Sequence, residues 1–150
     1  MKRRTDTVSR TKRSDIMRAV RSHGNKSTEL MLIRIFRNHK VSGWRRRTNL
    51  AGDPDFVFSR HRIAVFVDGC FWHGCARHCR MPTGNRSYWN GKIASNIVRD
   101  KRVNRLLRRC GWRVVRVWEH ELTKNPGRCI RRIKELLEVK SNIGKPKPAK

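Results

Sequence analysis

Ile63-Ala64-Val65-Phe66-Val67 is an unbroken apolar run that predicts a buried strand over Arg62–Asp68. Trp112-Arg113-Val114-Val115-Arg116-Val117-Trp118 predicts a second strand, ending at Glu119-His120-Glu121. A shorter strand is expected from Asp55 to Ser59 and another extended segment from Trp44 to Thr48, with Gly52 and Pro54 turning the chain between them. Elsewhere the apolar period is helical. Trp89, Ile93, Ile97, Leu106 and Leu107 predict a long helix over Tyr88–Cys110 that stops at Gly111. Pro126 suits the first turn of a later helix carrying Ile130, Ile133, Leu136 and Leu137. Upstream, Ser14 caps a short helix through Ile16, Met17 and Val20, and Asn25 or Ser27 caps one whose apolar faces hold Leu30, Leu32, Ile33, Ile35 and Phe36.

Helices before, between and after strands predict an α/β protein with three layers, α/β/α, around a central mixed sheet. The expected organisation is a basic flexible segment at residues 1–13, one domain over 14–140, and a basic flexible tail at 141–150. No internal repeat or interdomain linker interrupts it.

Charge alters this picture more than composition does. Apolar residues make up 37% of the 150 residues, enough for one core. Lys and Arg number 38 against 11 Asp and Glu, a formal charge of +27 that opposes compactness unless a polyanion neutralises it. Nucleic acid is the leading partner, with Arg45-Arg46-Arg47, Arg99-Lys101-Arg102 and Arg105-Arg108-Arg109 placed to meet phosphates. Lys2-Arg3-Arg4 followed by polar residues reads as neither a signal peptide nor a membrane anchor, and no stretch approaches the roughly 20 apolar residues that span a bilayer. Five cysteines, three of them within ten residues, do not suit a secreted disulfide scaffold, so a reducing cytoplasm is expected.

Those three cysteines stand in Gly69-Cys70-Phe71-Trp72-His73-Gly74-Cys75-Ala76-Arg77-His78-Cys79, where the buried strand runs out into a loop. Cys70, Cys75 and Cys79 suit a tetrahedral Zn²⁺, with His78 or His120 as the fourth ligand. Four protein ligands leave no open position, so this zinc is structural. Cys110 and Cys129 read as small core residues on helical apolar faces.

Gly52-Asp53-Pro54-Asp55-Phe56 holds the second chemistry. Phosphodiester hydrolysis needs oxygen ligands for Mg²⁺, and Asp55 at a strand start is a candidate, although Pro-Asp alone more often makes a turn. A strand-borne Pro-Asp followed by a second strand is the arrangement of restriction-endonuclease-like nucleases. Their second strand usually ends in an acid, a spacer and a lysine, whereas this chain has Asp68-Gly69-Cys70. His73 stands close by and can exchange protons with a water nucleophile in the lysine's place.

Pro54-Asp55-Phe56-Val57, Val67-Asp68-Gly69-Cys70-Phe71-Trp72-His73-Gly74-Cys75, Tyr88-Trp89, Lys92-Ile93, Asn96 to Asp100, Gly111-Trp112-Arg113-Val114 and Val117-Trp118-Glu119 follow one another in order. Together, over roughly residues 10–138, they resemble the very short patch repair (Vsr) DNA mismatch endonucleases. The resemblance implies a restriction-endonuclease-like fold and an Mg²⁺-dependent enzyme. Such an enzyme nicks double-stranded DNA 5′ to the thymine of T:G mismatches left by deamination of 5-methylcytosine. It further implies Asp55 and the backbone carbonyl of Val67 as Mg²⁺ ligands, His73 as general base, Asp100 as its support, and Glu29 as an outer acid near the metal water. The zinc set it implies is Cys70, Cys75, Cys79 and His120, with His78 in reserve for either of the last two. Phe71, Trp72 and Trp89 become wedges that unstack the duplex, cheapest at a mismatch. Core packing competes for all three aromatics, most strongly for Trp89.

Departures from the family pattern accompany this. Cys75 stands where some members carry histidine, the following ligand is displaced by extra residues to Cys79, His120 stands in place of a cysteine near the last ligand position, and Asp68 replaces a histidine found in some members. The expected protein is a cytoplasmic, nucleoid-associated monomer that hands its product to repair proteins. The competing readings are a zinc-stapled basic DNA-binding module without catalysis and a restriction-like nuclease acting on matched sites.

Overall fold

The computed structural model describes residues 28–46 and 48–139. The helix expected from Ser14, the caps at Asn25 and Ser27, and the expected segments 1–13 and 141–150 lie outside the described residues. Along the described chain the elements are α1 (Glu29–Asn38), β1 (Phe56–Phe58), a 3₁₀ turn (Ser59–His61), β2 (Ile63–Asp68), α2 (Arg86–Arg109), β3 (Arg113–Trp118), α3 (Glu119–Lys124) and α4 (Pro126–Glu138).

β2 is the central strand of a mixed sheet in the order β1-β2-β3. β1 runs antiparallel to it, Phe56 opposite Val65, and the short turn between them leaves Arg62 in the left-handed region at φ 51°. β3 runs parallel to it, from Ile63 opposite Arg113 to Asp68 opposite Trp118. A parallel pair needs a long crossover, and α2 supplies it.

Alternation along the strands builds two cores, one on each face. On one side Ile63, Val65, Val115 and Val117 pack with Leu32, Ile35 and Phe36 of α1 and Cys129, Ile130 and Ile133 of α4. Phe36 meets Phe56 and Phe58 edge to face, with centroids 5.3 and 5.8 Å apart. Each such ring, fully buried, contributes about 1.5–3 kcal/mol through burial. On the other side Ala64 and Phe66 pack with Leu107 and Val103 of α2 and with Leu50, Trp112 and Val114. Helices therefore cover both faces of the sheet.

Several boundaries differ from expectation. Trp44 to Thr48 is not a strand; among its described residues Arg45 alone forms a bridge, to Val57. Gly43 sits at φ 84°, and the Trp44 indole N–H donates to the Val41 carbonyl (3.2 Å), so the chain turns before it can pair further. Glu119-His120-Glu121 begins a helix, α3, because the Glu121 carboxylate accepts the Trp118 backbone N–H at 3.0 Å and caps it. Cys110, expected in the core, is exposed: it follows the last turn of α2, where Gly111 at φ 77° reverses the chain. Cys129 is buried as expected. No helix among the described residues is long and apolar enough to cross a membrane.

Candidate functional site

Both functional groupings grow from the C-terminal ends of the parallel strands β2 and β3. Asp68 stands opposite Trp118 in register, so Cys70 and His120, each two residues further on, leave the sheet side by side. The Sγ of Cys70 lies 3.2 Å from His120 Nδ1, and Cys75 Sγ lies 3.7 Å from the Nδ1 atoms of both His78 and His120. The ligand atoms of Cys70, Cys75, His78 and His120 all fall within 4.8 Å of one another. A tetrahedral zinc with bonds of about 2.0–2.3 Å separates its donors by about 3.3–3.8 Å, so this set fits the ion. Burial pushes the Cys70 thiol up despite His120, and Cys75 and Glu119 push it further, so its thiolate form calls for a cation beside it. The His78 imidazole is held below its ordinary value, by desolvation first and then by His120, Lys124, Arg77 and Arg80, which favours the neutral ligating form.

Cys79 is not part of this group, contrary to expectation. Its thiol turns to the Phe71 carbonyl (3.5 Å) and the Met81 sulfur (3.9 Å). The Cys79 backbone N–H bonds to the Cys75 carbonyl, a one-turn geometry that swings Cys79 away while His78, three residues from Cys75, faces His120 with ring centroids 4.2 Å apart.

The same loop carries His73 into a cavity of about 350 Å³ lined by Asp53, Asp55, Val67, Asp68, Asp100 and Arg116, among others. Two glycines permit the close approach. A side chain at Gly74 (φ 64°) would meet Ile97 at 2.7 Å, and one at Gly52 (φ 81°) would meet Val103 at 2.2 Å, so both loops press directly on α2. Asp100 projects from α2 and its Oδ2 lies 2.6 Å from His73 Nδ1. With Nδ1–H donating to that carboxylate, Nε2 is left as the basic nitrogen.

Burial alone would raise the Asp100 carboxyl, but the His73 hydrogen bond and the charges of Arg116, His73 and Arg99 outweigh it and hold it below the usual value. A depressed folded-state value stabilises the fold above the unfolded value and loses that contribution as pH falls through the folded one. The stability gap between the parent and Asp100→Asn is therefore expected to be constant above about pH 5 and to shrink below about pH 4. Urea melts across that range check this, and a gap that widens in acid contradicts it.

Asp55 stands just before β1, and its Oδ2 accepts the Val67 backbone N–H at 2.7 Å. This bond ties Asp55 to the residue whose carbonyl was expected to share its metal, and both residues line the cavity. The cavity volume exceeds the roughly 30 Å³ share of one water several-fold, which suits Mg²⁺, an ion that keeps much of its hydration. Glu29 does not line this cavity. It is buried and spent on an ion pair with Arg46, itself over the Phe56 ring.

Phe71, Trp72 and Trp89 form one aromatic cluster, with centroids 5.0, 5.3 and 6.0 Å apart. Trp89 is buried, whereas Phe71 and Trp72 are half-buried, so the outer part of the cluster belongs to the loop pair. Asn96 fixes the loop by donating to the Trp72 carbonyl (2.9 Å). Trp89 and Asp100 are eleven residues apart on α2, about 16 Å, so one helix carries both the cluster and the support for His73. Tyr88, 61% exposed beside Trp89, enlarges the aromatic surface and went unassigned in the sequence.

Sequence reasoning also missed Arg116. It lies opposite Phe66 in the β2–β3 register, stacks on that ring at 4.8 Å, and grips both oxygens of Asp68 at 2.6 and 2.7 Å. An arginine in mid-strand, flanked by Val115 and Val117, was the available signal.

Residues 5–81 match the family model for DNA mismatch endonuclease Vsr. Type II nicking enzyme V.NaeI of Lentzea aerocolonigenes is 44% identical over 117 residues, spanning 73% of this chain and 68% of that protein. Type II nicking enzyme V.NmeDIP of Neisseria meningitidis serogroup C is 35% identical over 145 residues, spanning 93% and 95%. DNA mismatch endonuclease Vsr of Escherichia coli (strain K12) is 42% identical over 74 residues, spanning 47% and 46%. The chain belongs to the DNA mismatch endonuclease Vsr family and is a DNA endonuclease.

Proposed function

We propose that this endonuclease nicks duplex DNA 5′ to the thymine of a T:G mismatch, on a restriction-endonuclease-like fold, and so initiates very short patch repair. The observation that carries the reading is the junction of two devices on one loop: His73, paired with Asp100 in the cavity, directly follows Phe71 and Trp72 in the aromatic cluster. A wedge that unstacks bases costs least where pairing is already weak, so a mismatch is where these rings insert most cheaply. Insertion there brings the neighbouring phosphate to the cavity.

His73 Nε2 takes a proton from the attacking water, and the ionised Asp100 stabilises the imidazolium that results. Asp55 and the Val67 carbonyl are the residues that would hold Mg²⁺, which when bound would neutralise charge developing on the phosphate. Cys70, Cys75, His78 and His120 would hold a structural zinc that fixes the loop. Arginines along α2 meet flanking phosphates and supply affinity without sequence choice. Action as a monomer in the cytoplasmic nucleoid, with repair proteins receiving the nicked product, belongs to the same reading.

A relative bearing the name type II nicking enzyme favours a second reading, nicking at a particular sequence. Labelled duplexes with Mg²⁺, differing only in a central T:G or T:A pair and presented in varied sequence contexts, separate the two. Nicking of the T:G strand alone is the expected result. Equal nicking of the matched duplex makes the protein a site-specific nicking enzyme instead.

A further inference from the structure

Asp68 is a buried carboxylate, its side chain 3% exposed, and the proposed chemistry gives it no work. Two carboxylates flank the same nitrogen of His73: Asp100 Oδ2 at 2.6 Å and Asp68 Oδ1 at 3.6 Å, the latter beyond hydrogen-bond length. What keeps Asp68 away is Arg116, whose Nε and Nη2 occupy both of its oxygens. The same Nη2 reaches Asp100 Oδ1 at 3.2 Å, while Nη1 donates to Asn104 Oδ1 at 3.2 Å and the guanidinium plane rests on Phe66. Asp68 and Asp100 outweigh burial and hold the guanidinium firmly charged.

We infer that Arg116 is a positioning residue for the nicking reaction: it withholds Asp68 from His73 and aims Asp100 at His73 Nδ1, so that Nε2 faces the scissile phosphate. The inference rests on the proposed role of His73. Arg116 Nη2 is 3.5 Å from His73 Nδ1, and since arginine only donates, that approach is tolerated because Asp100 accepts from both, one oxygen each. The fork geometry is the essential property. One planar cation spans two carboxylates at fixed angles, which an ammonium does not.

The test measures kcat and KM for the full chain on whichever of the T:G and matched duplexes the parent nicks. Arg116→Lys keeps a cation beside Asp68, so no buried carboxylate is stranded and the fold is retained. Its kcat is expected to fall on the order of 10-fold with KM unchanged. Asp68→Asn combined with Arg116→Gln, a neutral hydrogen-bonding pair, falls at least as far. In an Asp100→Asn background Arg116→Lys has no further effect, because the group it positions is gone.

A rise in KM at constant kcat marks Arg116 as a DNA contact and overturns the inference. So does parental kcat in Arg116→Lys, or a loss that multiplies undiminished in the Asp100→Asn background. His73→Ala separates the two levels: parental nicking by that variant sinks the proposed function itself, whereas an inactive His73→Ala beside a fully active Arg116→Lys sinks this inference alone.

Discussion

Asp55→Asn is expected to lower the nicking rate on a T:G duplex by about 10³-fold or more, with duplex affinity preserved. The substitution keeps the shape of the side chain and an oxygen for the Val67 N–H, so the start of β1 remains in place. What it removes is the negative oxygen donor at the cavity, and with it the affinity for a hard divalent cation. Loss of several kcal/mol of charge stabilisation in the transition state corresponds to that factor. Affinity for DNA behaves differently, because removing a carboxylate from a face that meets phosphates does not weaken attraction to a polyanion. Single-turnover nicking and a gel-shift titration at one salt concentration measure the two effects separately. An Asp55→Asn protein that nicks at the parental rate would falsify the assignment.

The second large effect lies at the cysteine–histidine group. Elemental analysis of the parent is expected to find one zinc per chain, and Cys75→Ala or His120→Ala to find almost none, while Cys79→Ala retains it. The loop is then held by the His73–Asp100 bond, the packing of Phe71 and Trp72 on Trp89, the contact of Gly74 with Ile93 and Ile97, and the Asn96 bond to the Trp72 carbonyl, none of which anchors the Cys75–Cys79 turn to β3. Structural zinc contributes folding energy outright, so its loss costs several kcal/mol, on the order of 10 °C in Tm for a domain of this size. Nicking falls with it, since His73 sits between Cys70 and Cys75 in the same loop. A parent free of zinc yet fully active sinks the assignment, and zinc lost from Cys79→Ala but kept in His78→Ala restores the Cys79 set.

Much of the scaffold is legible along the chain because its signals are local. The apolar run of β2, the helical period from Trp89 to Leu107 in α2, Gly111 beyond its end and Pro126 at the head of α4 each encode an element through neighbouring residues alone. Trp44 to Thr48 misleads for the same reason: it read as extended, but pairing needs a partner, and among its described residues it obtains a single bridge, to Val57. α3 was hidden because two glutamates flanking a histidine after a strand carry no apolar period. Its start depends on the Glu121 carboxylate finding the Trp118 N–H.

At the site, residue types were legible, whereas of the partnerships only His73 with Asp100 and His120 with Cys70 and Cys75 were expected, the former through the resemblance. Asp55, His73 and the Cys70–Cys79 loop offer metal-ligand and proton-transfer groups by residue type, Asp100 was reached through the family resemblance, and the excess of Lys and Arg points to a polyanionic partner. Which side chains meet is set by strand register and helix crossing, over separations of tens of residues. The parallel pairing of β2 with β3 brings His120 to Cys70 and Arg116 to Asp68. A single turn after Cys75 decides for His78 over Cys79, and α1 leaves Glu29 to Arg46 rather than to the cavity. Sequence by itself determined the longer elements, the charge and the chemical vocabulary, all of which depend on local pattern or on summed composition. Tertiary structure alone decided the pairings, because a hydrogen bond or a ligand distance is fixed within tenths of an ångström by packing that no local pattern encodes.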